Sequence, residues 1–366
     1  SSDLEKRVLF CFSFQKNTIM RTVALALCFL ASASATIINL EDYDVPAINP
    51  KIVEEVNNAD STWKAHLSPR FEGMTLAAAK RMLGTIMPSD PGYIDFNHPV
   101  KTFKTRADLP DAFDSRENWS GCADVIGHIR DQSNCGSCWA FSSTETLNDR
   151  MCIVNDDHNL LSTEETNDCA GLRYGSMGCN GGQPSGAWRF FVNSGVPTGG
   201  DYEDVDTGKT CKPYTLESCF HHGENPDNMT ACSDLPSYST PKCGSSCGDS
   251  SYANDYADDK VQAKTSYTLR SVDDVMQEMY ENGPVTVAFT VYEDFEAYES
   301  GIYQHVTGSS LGGHAVKMMG WGSEDGVDYW TIANSWNVNW GEEGTFRILR
   351  GVNECGIEDA AWAGEV

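Results

Sequence analysis

The sequence predicts an α+β protein of two halves, a helical one followed by a small antiparallel β-barrel, with a cleft between them and a separate segment ahead. Three observations carry this. From Cys138 onward, Ala140, Thr144, Leu147 and Met151 recur at three- and four-residue intervals, the spacing of one helix face. After Asp255 the period changes: Val285, Val287, Phe289 and Val291 alternate with Thr286, Ala288 and Thr290, so successive side chains face opposite ways, as in a strand. Further strand-like runs at 314–320, 328–333 and 345–349 are separated by glycines, which suit the turns of an antiparallel sheet.

A length of 366 residues allows one large or two medium domains plus processed segments. The net charge of −27 argues against nucleic acid and anionic membranes as partners, because both would repel the chain. Residues 20–35 join a basic start to a short apolar core and an Ala-x-Ala end, the pattern of a secretory signal peptide, with cleavage expected after Ala33 or Ala35. That core is too short to span a bilayer, and no second long apolar run follows, so no membrane span is expected. Residues 1–19 read as translated upstream sequence, with Met20 as the start. Residues 36–107 are then a prosegment and 108–366 the mature domain. Twelve of the 14 cysteines lie between Cys122 and Cys355, which with a signal peptide points to disulfides in an oxidising compartment. The expected destination is the secretory pathway, ending in a lysosome or acidic vacuole or outside the cell.

The chemistry gathers in four places. Residues 132–141 read Gln-Ser-Asn-Cys-Gly-Ser-Cys-Trp-Ala-Phe. Cys138 stands where a loop turns into a helix, and the positive end of the helix dipole favours the thiolate, which is the nucleophile. A thiolate needs a base within hydrogen-bond reach, and the base needs a third group to fix its ring. His314, in Gly312-Gly313-His314, and Asn334, in Ala333-Asn334-Ser335-Trp336, supply these. Trp336 would keep water off the His–Asn bond. Gln132 would present its side-chain amide, together with the Cys138 N–H, as an oxyanion hole. A lone cysteine in a secreted chain is more often half a disulfide, and a lone histidine more often a surface or core residue. The four segments in combination favour a nucleophile.

The run Cys135–Phe141 resembles the local signature of papain-like proteases, and Leu109-Pro-Asp-Ala-Phe-Asp-Ser-Arg resembles their mature start. The resemblance covers essentially all of 109–366 and much of the prosegment, and it implies a papain-like fold made as a zymogen. Within the family the chain is most similar to cathepsin B. His314 lies 176 residues beyond Cys138, against roughly 130–150 for the general family spacing. The extra length falls in 205–250, rich in Cys, Gly, Ser and Pro. There Cys219-Phe-His221-His222, closed at Cys232, resembles an occluding loop (about 211–247) whose paired histidines bind a substrate's C-terminal carboxylate.

This likeness implies dipeptidyl carboxypeptidase activity besides endopeptidase activity. The alternatives are an endopeptidase with a non-occluding loop, or a non-catalytic cystine-rich binding protein on the same fold. It further implies a short inhibitory propeptide, with a patch at Val53–Ala65 including Trp63 and a helical stretch near Thr75–Leu83. The implied disulfides are Cys122–Cys152, Cys135–Cys179, Cys169–Cys243, Cys211–Cys247 and Cys219–Cys232, with Cys355 a free, buried thiol. Gly181, Gly182 and the Gly313 carbonyl would hold the substrate backbone. Pro184, Ala288, Ala315 and Ala360 would line an apolar S2 pocket, Ala360 standing where the mammalian enzymes carry glutamate. Of two ion pairs that tether the loop in those enzymes, His221 and Asp131 keep one, while Asn339 replaces the aspartate of the other. No cofactor is implied. Paired histidines could serve zinc, but no closed four-ligand spacing appears, so no metal is expected. The expected partners are peptide and protein substrates, the chain's own propeptide and cystatin-like inhibitors of a monomer. Two glycosylation sequons occur, at Asn118 and Asn228.

Overall fold

The computed structural model describes residues 39–104, 108–219, 230–248 and 250–366. The upstream segment, the signal peptide, His221, His222 and Asn228 lie outside the described residues. The helix Cys138–Asn155 begins at the residue the sequence places at its start, and it stops where Asp156 takes a left-handed conformation and returns its N–H to the Cys152 carbonyl. From Cys138 to Cys152 every residue of this helix is buried, the polar ones included. Ser142, Ser143 and Thr146 achieve this by donating to the carbonyls of Cys138, Trp139 and Ser142 on the preceding turn. Helices Thr163–Cys169 and Pro184–Asn193 pack beside it and complete the helical half. Proline opens the second of these, where its missing N–H costs nothing.

Among the described residues nine strands follow in chain order: β1 (Trp63–Ala65), β2 (Phe113–Asp114), β3 (Tyr267–Leu269), β4 (Val285–Tyr292), β5 (Tyr298–Tyr303), β6 (Ser310–Glu324), β7 (Val327–Ala333), β8 (Thr345–Leu349) and β9 (Ala361–Ala363). Their order is β1-β5-β8-β7-β6-β4-β9-β3, with β2 beside β6. The central ladders of β4, β6, β7 and β8 are antiparallel as expected. The path is open, however, and β5 pairs with β8 in parallel, so the barrel expectation is corrected to an open mixed sheet. The alternation at 285–291 marks a real strand, yet β4 is buried on both faces through Phe289. Its polar face meets the helical half: the Thr286 hydroxyl accepts from Trp188 Nε1 at 3.1 Å and donates to Thr146 Oγ1 at 3.0 Å. On the other side Phe295 packs its ring 4.9–5.2 Å from Phe289, Tyr303, Trp340 and Phe346, the centre of the sheet's core.

The prosegment is too small for a core of its own, and it borrows one. Its helix Pro50–Asn58, capped by the Asn49 side chain on Lys51 N–H, buries Ile52 and Val56. Trp63 in β1 pairs antiparallel with Gly301 of β5, donates its indole N–H to the Gln304 carbonyl at 2.9 Å and packs against Tyr303. The helix Leu76–Met82, capped by Thr75, lies within the stretch read as helical. All five implied disulfides are present. Cys138 and Cys355 are free, and Cys355 is half-buried, not buried as expected. No helix among the described residues is long and apolar enough to cross a membrane.

Candidate active site

The long helix delivers Cys138 at its first turn, with no exposed surface. Burial pushes its thiol up, but the charge and hydrogen bond of His314 oppose this. Helped by the Thr85 hydroxyl and the Ala315 N–H, they bring the thiol below its ordinary value. His314 comes from β6, opposite Phe289 of β4. Its Nε2 lies 2.7 Å from Asn334 Oδ1. Since that oxygen can only accept, Nε2 carries the proton and Nδ1 is left for the sulfur, a tautomer assigned from the network. Asn334 follows β7 directly, and its own N–H is fixed on the Gly344 carbonyl. The Trp336 ring covers the imidazole at 4.8 Å and is itself braced by Phe295. Cys138, His314, Asn334 and Trp336 are thus brought together.

Gln132 joins them from the strand-like segment that pairs Asp131 with Trp336. Its Nε2 donates to the Cys135 carbonyl at 2.8 Å and to the Met82 carbonyl of the prosegment at 2.9 Å. The amide is turned this way by Ser335, whose Oγ donates to Gln132 Oε1 at 2.8 Å and whose carbonyl accepts from Gln132 N–H. Sequence reasoning missed Ser335. Its position between Asn334 and Trp336 was the available signal.

The cleft is occupied by the prosegment. Gly182 N–H donates to the Gly84 carbonyl, the Gly182 carbonyl accepts from Ile86 N–H, and the Gly313 carbonyl accepts from Thr85 N–H, all at 2.8–3.0 Å. Thr85 Oγ1 lies 3.1 Å from Cys138 Sγ. Met87 is buried in one cluster with Ala288, Ala315 and Ala360, and Pro184 is buried at the start of its helix. Gly181 departs from this pattern: its N–H and carbonyl close a local turn with Gly178 and Met177.

Toward the occluding-loop insertion, Asp131 accepts from Ser133 N–H and Cys219 N–H. Arg70 of the prosegment, fully buried, reaches to 4.0 Å from the Asp131 carboxylate and lays its guanidinium on the sulfurs of the Cys219–Cys232 cystine. Nothing in the sequence singled out Arg70. Among the described residues, the one grouping with metal-like proximity is Cys122, Cys152 and His158, and its two sulfurs are already joined as a cystine.

The family described as papain family cysteine protease matches residues 109–364. Cathepsin B-like cysteine proteinase 4 of Caenorhabditis elegans is 42% identical over 328 residues, covering 87% of this chain and 93% of that protein. Cathepsin B-like cysteine proteinase 5 of the same nematode is 41% identical over 349 residues, covering 93% and 96%. Among solved structures, procathepsin B S9 from Trypanosoma congolense is similar with a TM-score of 0.73 at 33% identity, over 88% of this chain and 99% of that one. Digestive procathepsin L 3 of the Tenebrio molitor larval midgut shares the fold, with a TM-score of 0.60 at 22% identity over 86% and 88%. Two halves that bury a thiol and an imidazole at their boundary, covered by a prosegment, define the zymogen of a cysteine protease. The chain belongs to the papain family, among its cathepsin B-like members.

The prosegment's seal depends on close backbone approach at Gly84. A Cβ added there would meet the Gly136 carbonyl oxygen at 1.8 Å. Gly84→Ala should therefore lift the prosegment from the cleft and speed alkylation of Cys138 in the intact zymogen by about tenfold or more, a loss of at least ~1.4 kcal/mol of docking. An unchanged alkylation rate would show that residues 84–86 do not guard the thiol.

Proposed function

We propose that the chain is a peptidase zymogen whose Cys138 attacks peptide carbonyls, with His314 as acid–base partner, Asn334 as the group that orients it and Gln132 as an oxyanion donor. One observation supports this best: the prosegment occupies two of these groups at once, its Met82 carbonyl on the Gln132 amide and Thr85 against the Cys138 sulfur. With the prosegment gone, a substrate carbonyl takes the place of Met82's. The Cys138 thiolate adds to the carbonyl carbon, and the oxyanion is held by Gln132 Nε2 and the Cys138 N–H. The imidazolium of His314 gives its proton to the leaving amine. The neutral ring then takes a proton from water for deacylation, and the thiolate leaves.

Gly182 and Gly313 hold the extended backbone as they hold residues 84–86. An apolar P2 side chain fits beside Ala288, Ala315 and Ala360, the cluster that takes Met87. A P2 arginine would be desolvated there without a carboxylate partner at residue 360. The enzyme acts as a monomer in an acidic compartment or outside the cell, and cystatin-like inhibitors fit the same open cleft.

Dipeptide release from substrate C-termini rests on His221 and His222 in the insertion, and internal cleavage on the same catalytic groups. The test is product analysis of one long peptide at acid pH, with parent and Cys138→Ser enzymes. The parent should release C-terminal dipeptides as well as internal fragments, and Cys138→Ser should release neither while keeping its fold. Internal fragments alone would establish the non-occluding endopeptidase. Comparable turnover by Cys138→Ser would remove the nucleophile assignment.

The prosegment leaves on acidification, and His98 is the group best placed to cause it. Its Nε2 donates to the Ser185 carbonyl at 2.8 Å and its Nδ1 accepts from Ser266 Oγ at 3.0 Å, so the neutral ring is fully bonded. Burial, with Arg189 nearby, holds its pKa below the ordinary histidine value against the pull of Ser185, Ser266 and Asp95. Docking support from a depressed histidine is complete above the free value of ~6.5 and declines as pH falls through it. The carboxylates divide: burial pushes Asp90 and Glu296 up, so protonation suits their buried state, whereas Glu278, held below its ordinary value against its burial by Arg150 and by Lys101 of the prosegment at 2.7 Å, loses that contact as pH falls. His98→Gln, neutral at every pH, should mature at the parent rate at pH 7 but several-fold more slowly at pH 5. Identical pH profiles of maturation would exclude His98 as the trigger.

A further inference from the structure

The segment that leads into the insertion touches the catalytic region at a point that the attack, protonation and deacylation steps leave unused. Tyr214 is buried to 2% exposure, three residues after the Cys211–Cys247 cystine. Its hydroxyl donates to the Gln132 carbonyl at 2.9 Å and lies 3.1 Å from Ser137 Oγ. A phenol has one proton, so Ser137 is the donor in the second bond. One oxygen atom therefore links the backbone of Gln132 to the residue immediately before Cys138.

Ser137 stands at the N-cap position of the long helix, where serine normally accepts from the first-turn N–H groups. Here its side chain makes no capping bond and goes to Tyr214 instead. Of the first-turn N–H groups, that of Ala140 goes to the Ser137 carbonyl instead, and the Cys138 N–H opens the helix as the donor assigned to the oxyanion. The Gln132 peptide is fixed from both sides, its N–H on the Ser335 carbonyl and its carbonyl on Tyr214.

Tyr214 is in turn immobilised. Its ring meets Phe141 edge-on at 4.7 Å, and its N–H is bonded to the Gly200 carbonyl. Thr215 gives two hydrogen bonds to Glu164. Beyond it, the Glu217 carbonyl accepts from Ser133 Oγ at 2.6 Å. Ser133 has φ 56°, a left-handed conformation that a serine adopts only when its surroundings impose it. The stretch Tyr214–Cys219 thus clamps Asp131–Ser133 along its length. Burial pushes the Tyr214 hydroxyl well above the ordinary tyrosine value, so the donor stays protonated at any working pH.

We propose that Tyr214 is a positioning residue of the oxyanion hole, setting the spacing between the Gln132 amide and the Cys138 N–H through the bridge Gln132 carbonyl–Tyr214 hydroxyl–Ser137 hydroxyl. The inference rests on Gln132 being an oxyanion donor. Tyr214 does not reach substrate or sulfur. Its effect falls on the tetrahedral state and leaves the thiolate alone.

The test uses the activated enzyme with Tyr214→Phe, which removes one oxygen and keeps the ring. Three readouts are compared. The first is kcat and KM on a peptide amide. The second is Ki for a peptide aldehyde, whose hemithioacetal places a tetrahedral oxygen in the hole. The third is the rate of Cys138 alkylation by iodoacetamide, which needs the thiolate but no hole. Loss of one oxyanion donor costs 10²–10³ in kcat, and a displaced donor should cost about tenfold. Tyr214→Phe should lower kcat about tenfold and weaken the aldehyde by a similar factor, with KM and alkylation within about twofold. Ser137→Ala, which cuts the other end of the bridge, should show the same split to a smaller degree and serves if Tyr214→Phe does not fold.

Equal losses in aldehyde binding and alkylation would reduce Tyr214 to a structural role, and no loss in either would leave it none; both overturn the inference. Gln132→Ala separates the two levels. If it weakens the aldehyde while Tyr214→Phe does not, only the bridge fails. If it leaves the aldehyde unchanged, the oxyanion assignment itself fails.

Discussion

The meeting of the Cys138 thiol with the His314 imidazole across the boundary of the two halves is the constraint on which the rest of the molecule depends. Neither group can be reactive alone, because burial by itself pushes the thiol toward its neutral form. The partners come from a helix and a sheet that are far apart in sequence, so their register must be held by other means. One is the buried pair of Lys317 and Asp149, at 2.9 Å with almost no exposure on either side. Lys317 lies three residues beyond His314 on β6, and Asp149 lies on the helix that begins with Cys138. Burial pushes the Asp149 carboxyl up to about 6 even beside the lysine. Such a pair contributes little net stability, and its value here is to specify one alignment of strand on helix. Thr286 bonded to Trp188 and Thr146, and Gln132 bonded to Ser335, add neutral links across the same boundary.

The prosegment exploits this arrangement without altering it. It supplies a strand to the sheet edge at β5, then a helix, then three residues that take up the backbone donors and acceptors of Gly182 and Gly313. A hydroxyl, which offers no electrophilic carbon, faces the sulfur, while the prosegment carbonyl on the Gln132 amide belongs to Met82. Arg70 extends the coverage to the base of the insertion, where it lies on the loop cystine near Asp131. The prosegment is thus held by many weak contacts, several of them with backbone groups of the cleft.

Much of this was legible in the sequence because the chemistry demands particular residues at particular places. The start of the long helix at Cys138 and the strands around His314 and Asn334 follow from periodicity and motif, and the helical stretch of the prosegment from the family resemblance. What escaped has physical causes. The alternation of β4 hides the fact that its threonine face is covered by helices, since a buried hydroxyl with partners looks like an exposed one in sequence. The parallel pairing of β5 with β8 depends on a crossover that no local pattern encodes. Ser335, Tyr214 and Arg70 are common residues whose roles arise only from what the fold brings beside them. Cys355 could be read as unpaired by its odd place in the disulfide scheme, but its half-exposure depends on the turn around it, where it takes a left-handed φ.

The most direct test of this account is the pH dependence of Cys138 alkylation by iodoacetamide in the enzyme freed of its prosegment, with the label located by peptide mapping because Cys355 is also free. Measured beside it should be His314→Ala. The paired thiol predicts fast alkylation at acid pH, with a midpoint well below the ~8.5 of an ordinary cysteine. In His314→Ala the midpoint should rise to that value or beyond it, as burial acts unopposed. A midpoint near the ordinary value in the parent enzyme, unmoved by His314→Ala, would contradict the claim that the contact between the two halves creates the nucleophile.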